Sequence, residues 1–298
     1  MLATDFESQI ETKGEICFVI PTLGLRNFTQ FLVSELVRSS FQVVVVEQSE
    51  SQDLYSSFDQ FTKKRLVFLR VIGERGASRA RNVGLRAAPV STKYVMFPND
   101  TCLPNPNFLN QATIILNSNK SVGAVFGRYG FQDGLETKSV VGPIGKRKAM
   151  AINESSIVFR RSMLEQVDGF DEGIGTGSDG MIQSGEAADL LIRSLTLGWQ
   201  VIGVNDIAGT DSRKTPTHTK KVDFLYGFGF SHIARENGLF LWALARVATP
   251  ILRKVARSPL GDSPSNVGGL LAVVAGRFFG IVVPSTILDR FKPMIVKK

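Results

Sequence analysis

The sequence has 298 residues, of which 43% are hydrophobic and 21% are charged, the balance of an ordinary globular protein. Its two cysteines, Cys17 and Cys102, exclude a disulfide framework, and no secretory signal is expected from the polar, acidic N-terminus. The net charge of +8 comes from the C-terminal part, because residues 213–298 hold 14 Lys and Arg against 4 Asp and Glu. No common nucleic-acid-binding motif occurs, so the basic tail favours an anionic membrane surface over nucleic acid as its partner.

The first 100 residues alternate between apolar runs typical of buried strands and apolar residues at helical spacing. This alternation predicts right-handed crossovers and an α/β fold with a mostly parallel sheet. Ligands of such sheets bind beyond the carboxyl ends of the strands, where Thr22, Glu47, 73–75 and 99–101 are expected to lie. The predicted strands are 16–21, 43–46, 66–72 and 94–97, and the predicted helices cover 28–36, 77–88 and 107–116.

The middle of the chain is less regular. Residues 127–149 are rich in Gly and Lys and are predicted to form a loop or a hairpin. Five glycines within residues 173–185 predict a mobile loop over a site. The other elements predicted here are strands over 155–160 and 199–204 and helices over 162–167 and 185–197.

The C-terminal tail is more apolar and more basic than the rest of the chain. Its two apolar stretches, 239–252 and 267–288, are flanked by basic residues. The first is too short to span a membrane easily, and Arg277 in the second would cost about 2.5–3.5 kcal/mol at mid-membrane. Interfacial helices on an anionic leaflet are therefore favoured, while a helical cap over the first domain and a true span stay open. The predicted domains are 1–222 and a basic helical tail over 223–298.

Residues 76–84 combine a glycine, a helix start and two arginines. Gly76 allows the backbone to approach a ligand closely, and the helix start offers N–H groups and the positive end of the helix dipole. Arg79 and Arg81 add charge that can pair with phosphate oxygens. The segment therefore favours a diphosphate-linked ligand, with a solvated, Ala-rich surface helix as the alternative.

A polar tip, residues 99–101, follows the fourth predicted strand and reads Asn-Asp-Thr. Mg²⁺ and Mn²⁺ take oxygen ligands of this kind beside phosphates, although Asp100 is the one carboxylate of the tip. A simple turn built from Asn and Asp is the alternative. Glu47, at the end of the second strand, can accept hydrogen bonds from a nucleobase or ribose, or be an exposed loop residue.

Taken together and in their order along the chain, these motifs resemble those of family 2 glycosyltransferases over residues 15 to about 235. The resemblance implies a GT-A fold with a Rossmann-like sheet, in which residues 76–84 approach the nucleotide and the tip holds a metal. Many members carry carboxylates at all three tip positions, so Asn99 and Thr101 predict weaker cation binding. The resemblance implies donor contacts for Thr22, Glu47, Arg75, Gly76, Arg81, Asn99 and Asp100, and an Mg²⁺ or Mn²⁺ ion held by Asp100, Thr101 and His218. An exposed loop histidine is the alternative for His218.

A further acidic segment resembles the family's Gly-Glu-Asp/Glu-x-Asp-Leu-x-x-Arg box. Sugar transfer to a hydroxyl needs a carboxylate that takes the proton, and Glu186 is the predicted base, with a structural acid at a helix N-terminus as the alternative. Asp189 is the second catalytic candidate, although Arg193 lies four residues on and can pair with it instead. The family's second acid is replaced by Ala187. Acceptor-contact candidates are Asp171 and Glu172, in a segment resembling the family's Gly-Gly-Phe-Asp-Glu.

The sequence therefore predicts an inverting glycosyltransferase that moves a sugar from a nucleotide-diphosphate donor, expected to be UDP-linked, to a hydroxyl of a lipid-linked or polysaccharide acceptor. The expected location is cytoplasmic and peripheral, at the inner face of the membrane. The alternatives are a degenerate protein that binds a nucleotide sugar or glycan without turnover, and a membrane-surface adaptor. The predicted mechanism requires Arg81, Asp100 and Glu186 to surround one cavity.

Overall fold

The computed structural model describes residues 13–24, 27–49, 54–73, 75–215, 219–247, 249 and 267–284. The chain divides into two compact units, and the domain boundary predicted after residue 222 stays a prediction. The first unit contains Met1–Arg75, Arg79–Phe170 and Leu190–Thr215, and the second contains Gly76–Ser78, Asp171–Asp189 and Pro216–Lys298.

The first unit is built on one nine-stranded sheet with the order β3-β2-β1-β4-β8-β6-β9-β5, and β7 pairs with β9 off this path. Parallel pairing joins β1 to β2 and β4, β2 to β3, and β6 to β9. The four strands predicted in the first 100 residues are therefore confirmed as a parallel layer. The strands are β1 (Ile16–Thr22), β2 (Gln42–Glu47), β3 (Leu66–Arg70), β4 (Tyr94–Met96), β5 (Cys102–Pro104), β6 (Val122–Phe131), β7 (Gly142–Pro143), β8 (Ile157–Arg160) and β9 (Gln200–Asp211).

Strand β6 corrects the prediction for the start of residues 127–149. The prediction of a loop was wrong for residues 127–131, which continue β6. The prediction of a hairpin is confirmed just beyond them, where the Thr137 N–H donates to the Tyr129 carbonyl at 2.8 Å. Close packing requires a glycine at position 127 of β6, because a Cβ there would lie 2.4 Å from the Asp206 carbonyl oxygen. A glycine-rich run in this chain therefore marks a crowded strand as well as a loop.

The helices of the first unit cover the sheet with apolar faces. Helices α1 and α4 contribute Leu32 and Phe108 to a core that also contains Phe18 and Val45 from the sheet. Each such fully buried side chain contributes about 1.5–3 kcal/mol. The helices along the described chain are α1 (Asn27–Arg38), α2 (Gln60–Lys63), α3 (Ala77–Ala87), α4 (Pro106–Ser118), α5 (Lys146–Ala149), α6 (Arg161–Gln166), α7 (Glu186–Thr196), α8 (Lys220–Glu236), α9 (Phe240–Arg246) and α10 (Val267–Val282).

In the second unit, helices α8 and α10 pack backbone against backbone through glycines. A Cβ at Gly276 would lie 2.0 Å from the Phe224 carbonyl oxygen, and one at Gly280 would lie 2.3 Å from the Phe228 carbonyl oxygen. Residues with a side chain cannot approach so closely, so this pairing depends on glycine. Across the described ranges, no helix combines the length and the apolar character that a membrane crossing demands.

We expect Gly276→Ala to lower the melting temperature of the full chain, although Ala is about 1 kcal/mol better than Gly in a helix. Overpacking costs about 1–3 kcal/mol, and a backbone carbonyl cannot rotate away from the new methyl group. Gly268→Ala is the control, because its Cβ would meet only the flexible end of Lys220. Equal melting temperatures for the two variants in thermal unfolding would contradict the close packing.

Candidate active site

The carboxyl edge of the parallel layer brings two predicted donor residues together. Thr22 ends β1 and lies beside Glu47, which ends β2. The Thr22 hydroxyl donates to Oδ2 of Asp100 at 2.8 Å. The polar tip therefore lies at the edge of the sheet where ligands of this class of fold bind.

Three hydrogen bonds fix the backbone of the tip in place. The Asn99 N–H donates to Ser155 Oγ at 3.0 Å, and the Asp100 carbonyl accepts from the Thr29 hydroxyl at 3.2 Å. The Thr101 carbonyl accepts from the Ser212 N–H at 2.8 Å. The tip is a turn, since Cys102 N–H donates to the Asn99 carbonyl at 2.9 Å, but it is a turn anchored on three sides.

Beside the tip lies a cluster that the sequence reasoning missed, formed by Tyr129, Asp211 and Arg213. The Asp211 carboxylate is buried and accepts from the Tyr129 hydroxyl at 2.9 Å. It also accepts from Arg213 Nε at 3.0 Å, Arg213 Nη2 at 2.7 Å and the Arg213 N–H at 2.9 Å. Asp211 is therefore an internal counter-charge that fixes Arg213.

The pKa values agree with a charged pair. Burial acts to raise the pKa of Asp211, but the hydrogen bonds from Arg213 and Tyr129 lower it overall. The pKa of Arg213 is raised, chiefly by its hydrogen bond to Asp211, with a smaller contribution from the charge of Asp100. Arg213 is therefore a permanent cation within electrostatic range of Asp100.

Glu47 is fully buried, so the interpretation of an exposed loop residue was wrong. Its Oε2 accepts from Arg70 Nε at 2.7 Å, and its Oε1 accepts from the Leu54 N–H at 3.2 Å. These bonds connect the ends of β2 and β3 to the loop before Leu54. Direct contact of Glu47 with the donor stays a prediction.

Arg81 is almost completely buried, with 2% of its side chain exposed, so it is not a solvated surface residue. Its Nη2 donates to Glu154 Oε1 at 2.8 Å, and its guanidinium lies 5.4 Å from the centre of the Phe170 ring. Glu154 was missed by the sequence reasoning and directly precedes Ser155, which anchors the tip. Arg75 is exposed.

Two of the sequence motifs are joined by hydrogen bonds within the first unit. The Asn82 side chain donates to the Phe170 carbonyl at 2.8 Å and accepts from the Phe170 N–H at 2.9 Å. A Cβ at Gly84 would lie 2.2 Å from Val19 Cγ1. Asn82 and Gly84 therefore have structural roles in placing α3, which carries Arg81.

The second unit contains Gly76 and the acidic start of α7. The Ala77 N–H donates to the Thr176 carbonyl at 3.0 Å, and the Ser78 hydroxyl donates to the Ile174 carbonyl at 2.5 Å. A Cβ at Gly175, where φ is +110°, would lie 3.1 Å from Glu186 Cδ. Within this unit, the glycine-rich loop thus connects the segment that starts α3 to Glu186.

The amide of Gln183 organises the glycine-rich loop. Its Oε1 accepts from the Gly177 N–H at 2.9 Å, and its Nε2 donates to the carbonyls of Ser178 at 2.8 Å and Gly180 at 2.5 Å.

Glu186 and Asp189 are both buried. Arg193 donates to the carbonyl of Gly169 at 2.8 Å. The mobility of the loop and the catalytic roles of the two acids stay predictions.

The described residues do not supply a carboxylate-rich metal site. They contain no group of three His, Cys, Asp or Glu side chains arranged to hold an ion. Thr101 is buried, and its hydroxyl has no hydrogen-bond partner in the structure, while His218 lies outside the described residues. The Arg213 guanidinium near Asp100 disfavours a second cation there. Metal binding by Asp100, Thr101 and His218 stays a prediction.

Comparison with solved structures shows the GT-A glycosyltransferase fold, as predicted. S. aureus TarS 1–349 superposes with a TM-score of 0.57 at 15% identity, covering 94% of this chain and 86% of that one. Its complex with UDP-GlcNAc gives a TM-score of 0.54 at 14% identity, with the same coverage. The Pyrobaculum calidifontis mannosyltransferase PcManGT, in complex with GDP-Man and Mn²⁺, gives 0.54 at 16% identity, covering 99% of this chain and 86% of that one. No protein-family model matches the sequence, and no curated protein matches it.

We expect Glu154→Gln to lower the free energy of unfolding by about 3–5 kcal/mol, because it removes one partner of a buried ion pair. Glu165→Gln is the matched control: Arg161 Nε also lies 2.8 Å from Glu165 Oε1, but Glu165 is 58% exposed. An exposed pair of this kind contributes about 0–1 kcal/mol. Urea unfolding measures both variants, and equal small losses would contradict a buried Arg81 pair.

Proposed function

We propose that this protein is an inverting glycosyltransferase that uses a nucleotide-diphosphate sugar. The observation that carries the proposal is the anchored Asn-Asp-Thr tip, bonded to Thr22 at the carboxyl edge of parallel strands, in the GT-A fold. Two proteins of similar fold, TarS and PcManGT, have structures in complex with UDP-GlcNAc and GDP-Man, respectively. This supports a nucleotide-sugar donor for the present chain, and a UDP-linked one is our first choice.

The donor would lie across the carboxyl edge, with Thr22, Glu47 and Asn99 on the nucleoside side. Arg75 is the more accessible of the two arginines predicted to contact the donor, since Arg81 is buried against Glu154. We therefore assign Arg75 to phosphate contact and Arg81 to holding α3 and the tip together.

Glu186 would act as the catalytic base. In the proposed step, an acceptor hydroxyl loses its proton to the Glu186 carboxylate while its oxygen attacks the anomeric carbon. The bond from that carbon to the diphosphate oxygen breaks, and the configuration inverts because attack is in line. The departing diphosphate carries the developing charge, which fixed cations at the edge stabilise. A lipid-linked or polysaccharide hydroxyl is the proposed acceptor.

We expect Glu186→Gln to reduce release of UDP or GDP from a panel of nucleotide sugars by at least about 100-fold, the range of general-base catalysis. Glu165→Gln, which removes an exposed carboxylate, is the control and is expected to keep full activity. Calorimetric titration with the nucleotide diphosphate is expected to give equal affinity for both variants, since Gln fills the same volume.

Unchanged release by Glu186→Gln would disprove the assignment of the base. A wild-type protein that binds UDP or GDP but releases neither from any donor would support the degenerate alternative. Wild-type protein that binds no nucleotide diphosphate would contradict the proposed function as a whole.

The tail would place the enzyme at an anionic membrane surface. Several large apolar side chains on α9 and α10 are exposed, and seven residues separate Leu271 from Phe278, which puts them on one face of α10. An apolar face in a segment whose sequence is rich in basic residues is typical of helices that lie in a membrane interface. The exposed apolar residues are Phe240, Leu241, Leu244, Leu271, Phe278, Phe279 and Val282.

We expect the double variant Leu271→Asp/Phe278→Asp to lose at least about tenfold in binding to vesicles that contain anionic lipid, because it puts charge on the inserting face. Leu135→Asp/Val141→Asp is the matched control, since both residues are exposed in the first unit. Substitutions are preferable to truncation because α8 packs on the start of the acidic segment: a Cβ at Gly229 would lie 2.7 Å from the Ser184 carbonyl oxygen. If both double variants cosediment equally with the vesicles, this face of α10 is not the membrane-binding surface.

A further inference from the structure

The pairing of β5 with β9 sets an arginine opposite the polar tip. In this antiparallel register Cys102 is opposite Asp211, and the Ser212 N–H donates to the Thr101 carbonyl at 2.8 Å. Asp100 and Arg213 are the chain neighbours of Thr101 and Ser212, so this hydrogen bond brings the two residues to the same part of the sheet edge. The charge of Asp100 also contributes to the raised pKa of Arg213, which agrees with this placement.

Arg213 is held rigidly from one side and is accessible from the other. Its Nε and Nη2 donate to Asp211, whose side chain is 1% exposed, while 54% of the Arg213 side chain is exposed. The remaining amino group, Nη1, takes no part in the bonds to Asp211. A guanidinium fixed in this way has already lost the conformational entropy that binding an anion would otherwise cost.

A diphosphate that binds at the sheet edge beside Asp100 needs a positive charge there. A diphosphate beside Asp100 meets a carboxylate of its own sign, and the described residues supply no group of acids and histidines to hold a metal ion between them. A guanidinium matches phosphate oxygens in geometry as well as in charge. The pKa of Arg213, raised by Asp211 and by Asp100, keeps the group charged.

We infer that Arg213 binds the donor diphosphate and supplies, beside Asp100, the positive charge that a carboxylate-held metal ion would bring. The inference rests on the proposed function and identifies a residue that neither the motifs nor the family resemblance assigned. Asp211 holds the guanidinium, and the Tyr129 hydroxyl in turn donates to the Asp211 carboxylate at 2.9 Å.

The test compares UDP with uridine, which lacks the phosphates, by calorimetric titration of the full chain. We expect Arg213→Gln to weaken UDP binding by about tenfold or more, because it removes charge-assisted hydrogen bonds to the phosphates, and to leave uridine binding unchanged. Arg213→Lys keeps the charge and should recover part of the loss. Arg38→Gln is the control, since Arg38 is also 54% exposed and also bonded to an aspartate, Asp59, at 3.0 Å.

Equal weakening of UDP and uridine binding by Arg213→Gln would overturn the inference, since that pattern reports damage to the fold around Asp211. Unchanged UDP binding would overturn it as well. Wild-type UDP binding is expected to survive EDTA, and complete loss in EDTA would assign the charge to a metal instead. If wild-type protein binds UDP normally but Arg213→Gln has no effect, the inference fails alone; if wild-type protein binds neither UDP nor GDP, the proposed function fails.

Discussion

The buried carboxylate of Asp211 is the constraint on which the candidate site depends. Removing a carboxylate from water costs several kcal/mol unless hydrogen bonds replace its hydration, and here Tyr129 and Arg213 provide them. Because the same residue is paired in register with Cys102, the hydrogen bonds that neutralise it lie next to the strand that begins directly after the tip. Charge compensation and strand register therefore stabilise each other at this edge.

Two acid–base pairs at this edge, Glu47 with Arg70 and Asp211 with Arg213, have their cations on the more exposed side. Glu47 and Asp211 are buried, whereas their partners Arg70 and Arg213 are partly exposed. The inward end of each pair is negative and the outward end is positive, so a ligand approaching from solvent meets guanidinium groups first. Such an arrangement attracts an anion without raising the net charge of the first unit. Formal charge counting along the sequence cannot reveal it.

The sequence was sufficient for the parts of the site that lie on locally encoded strands. Thr22 and Asp100 follow apolar runs, and the rule that ligands bind at carboxyl ends placed both of them. Glu154 and Arg213 were missed because long-range antiparallel pairing brings them to the tip. Strand β5 has three residues, too few to show a period of two. The glycines of β6 resembled loop residues, since only the packed fold shows what a Cβ there would meet.

The composition of the tip and the presence of Arg213 are consistent with each other. A tip with three carboxylates would leave an excess of negative charge that one arginine could not offset, and a divalent ion would be needed before a diphosphate could approach. With Asn99 and Thr101 neutral, Asp100 is the one charged residue of the tip, and the nearby Arg213, whose guanidinium is paired with Asp211, still exposes 54% of its side chain. The remaining acid accepts a hydrogen bond from the Thr22 hydroxyl at 2.8 Å, which fixes one oxygen of its carboxylate. The departures from the carboxylate pattern thus fit a site whose positive charge is built into the chain.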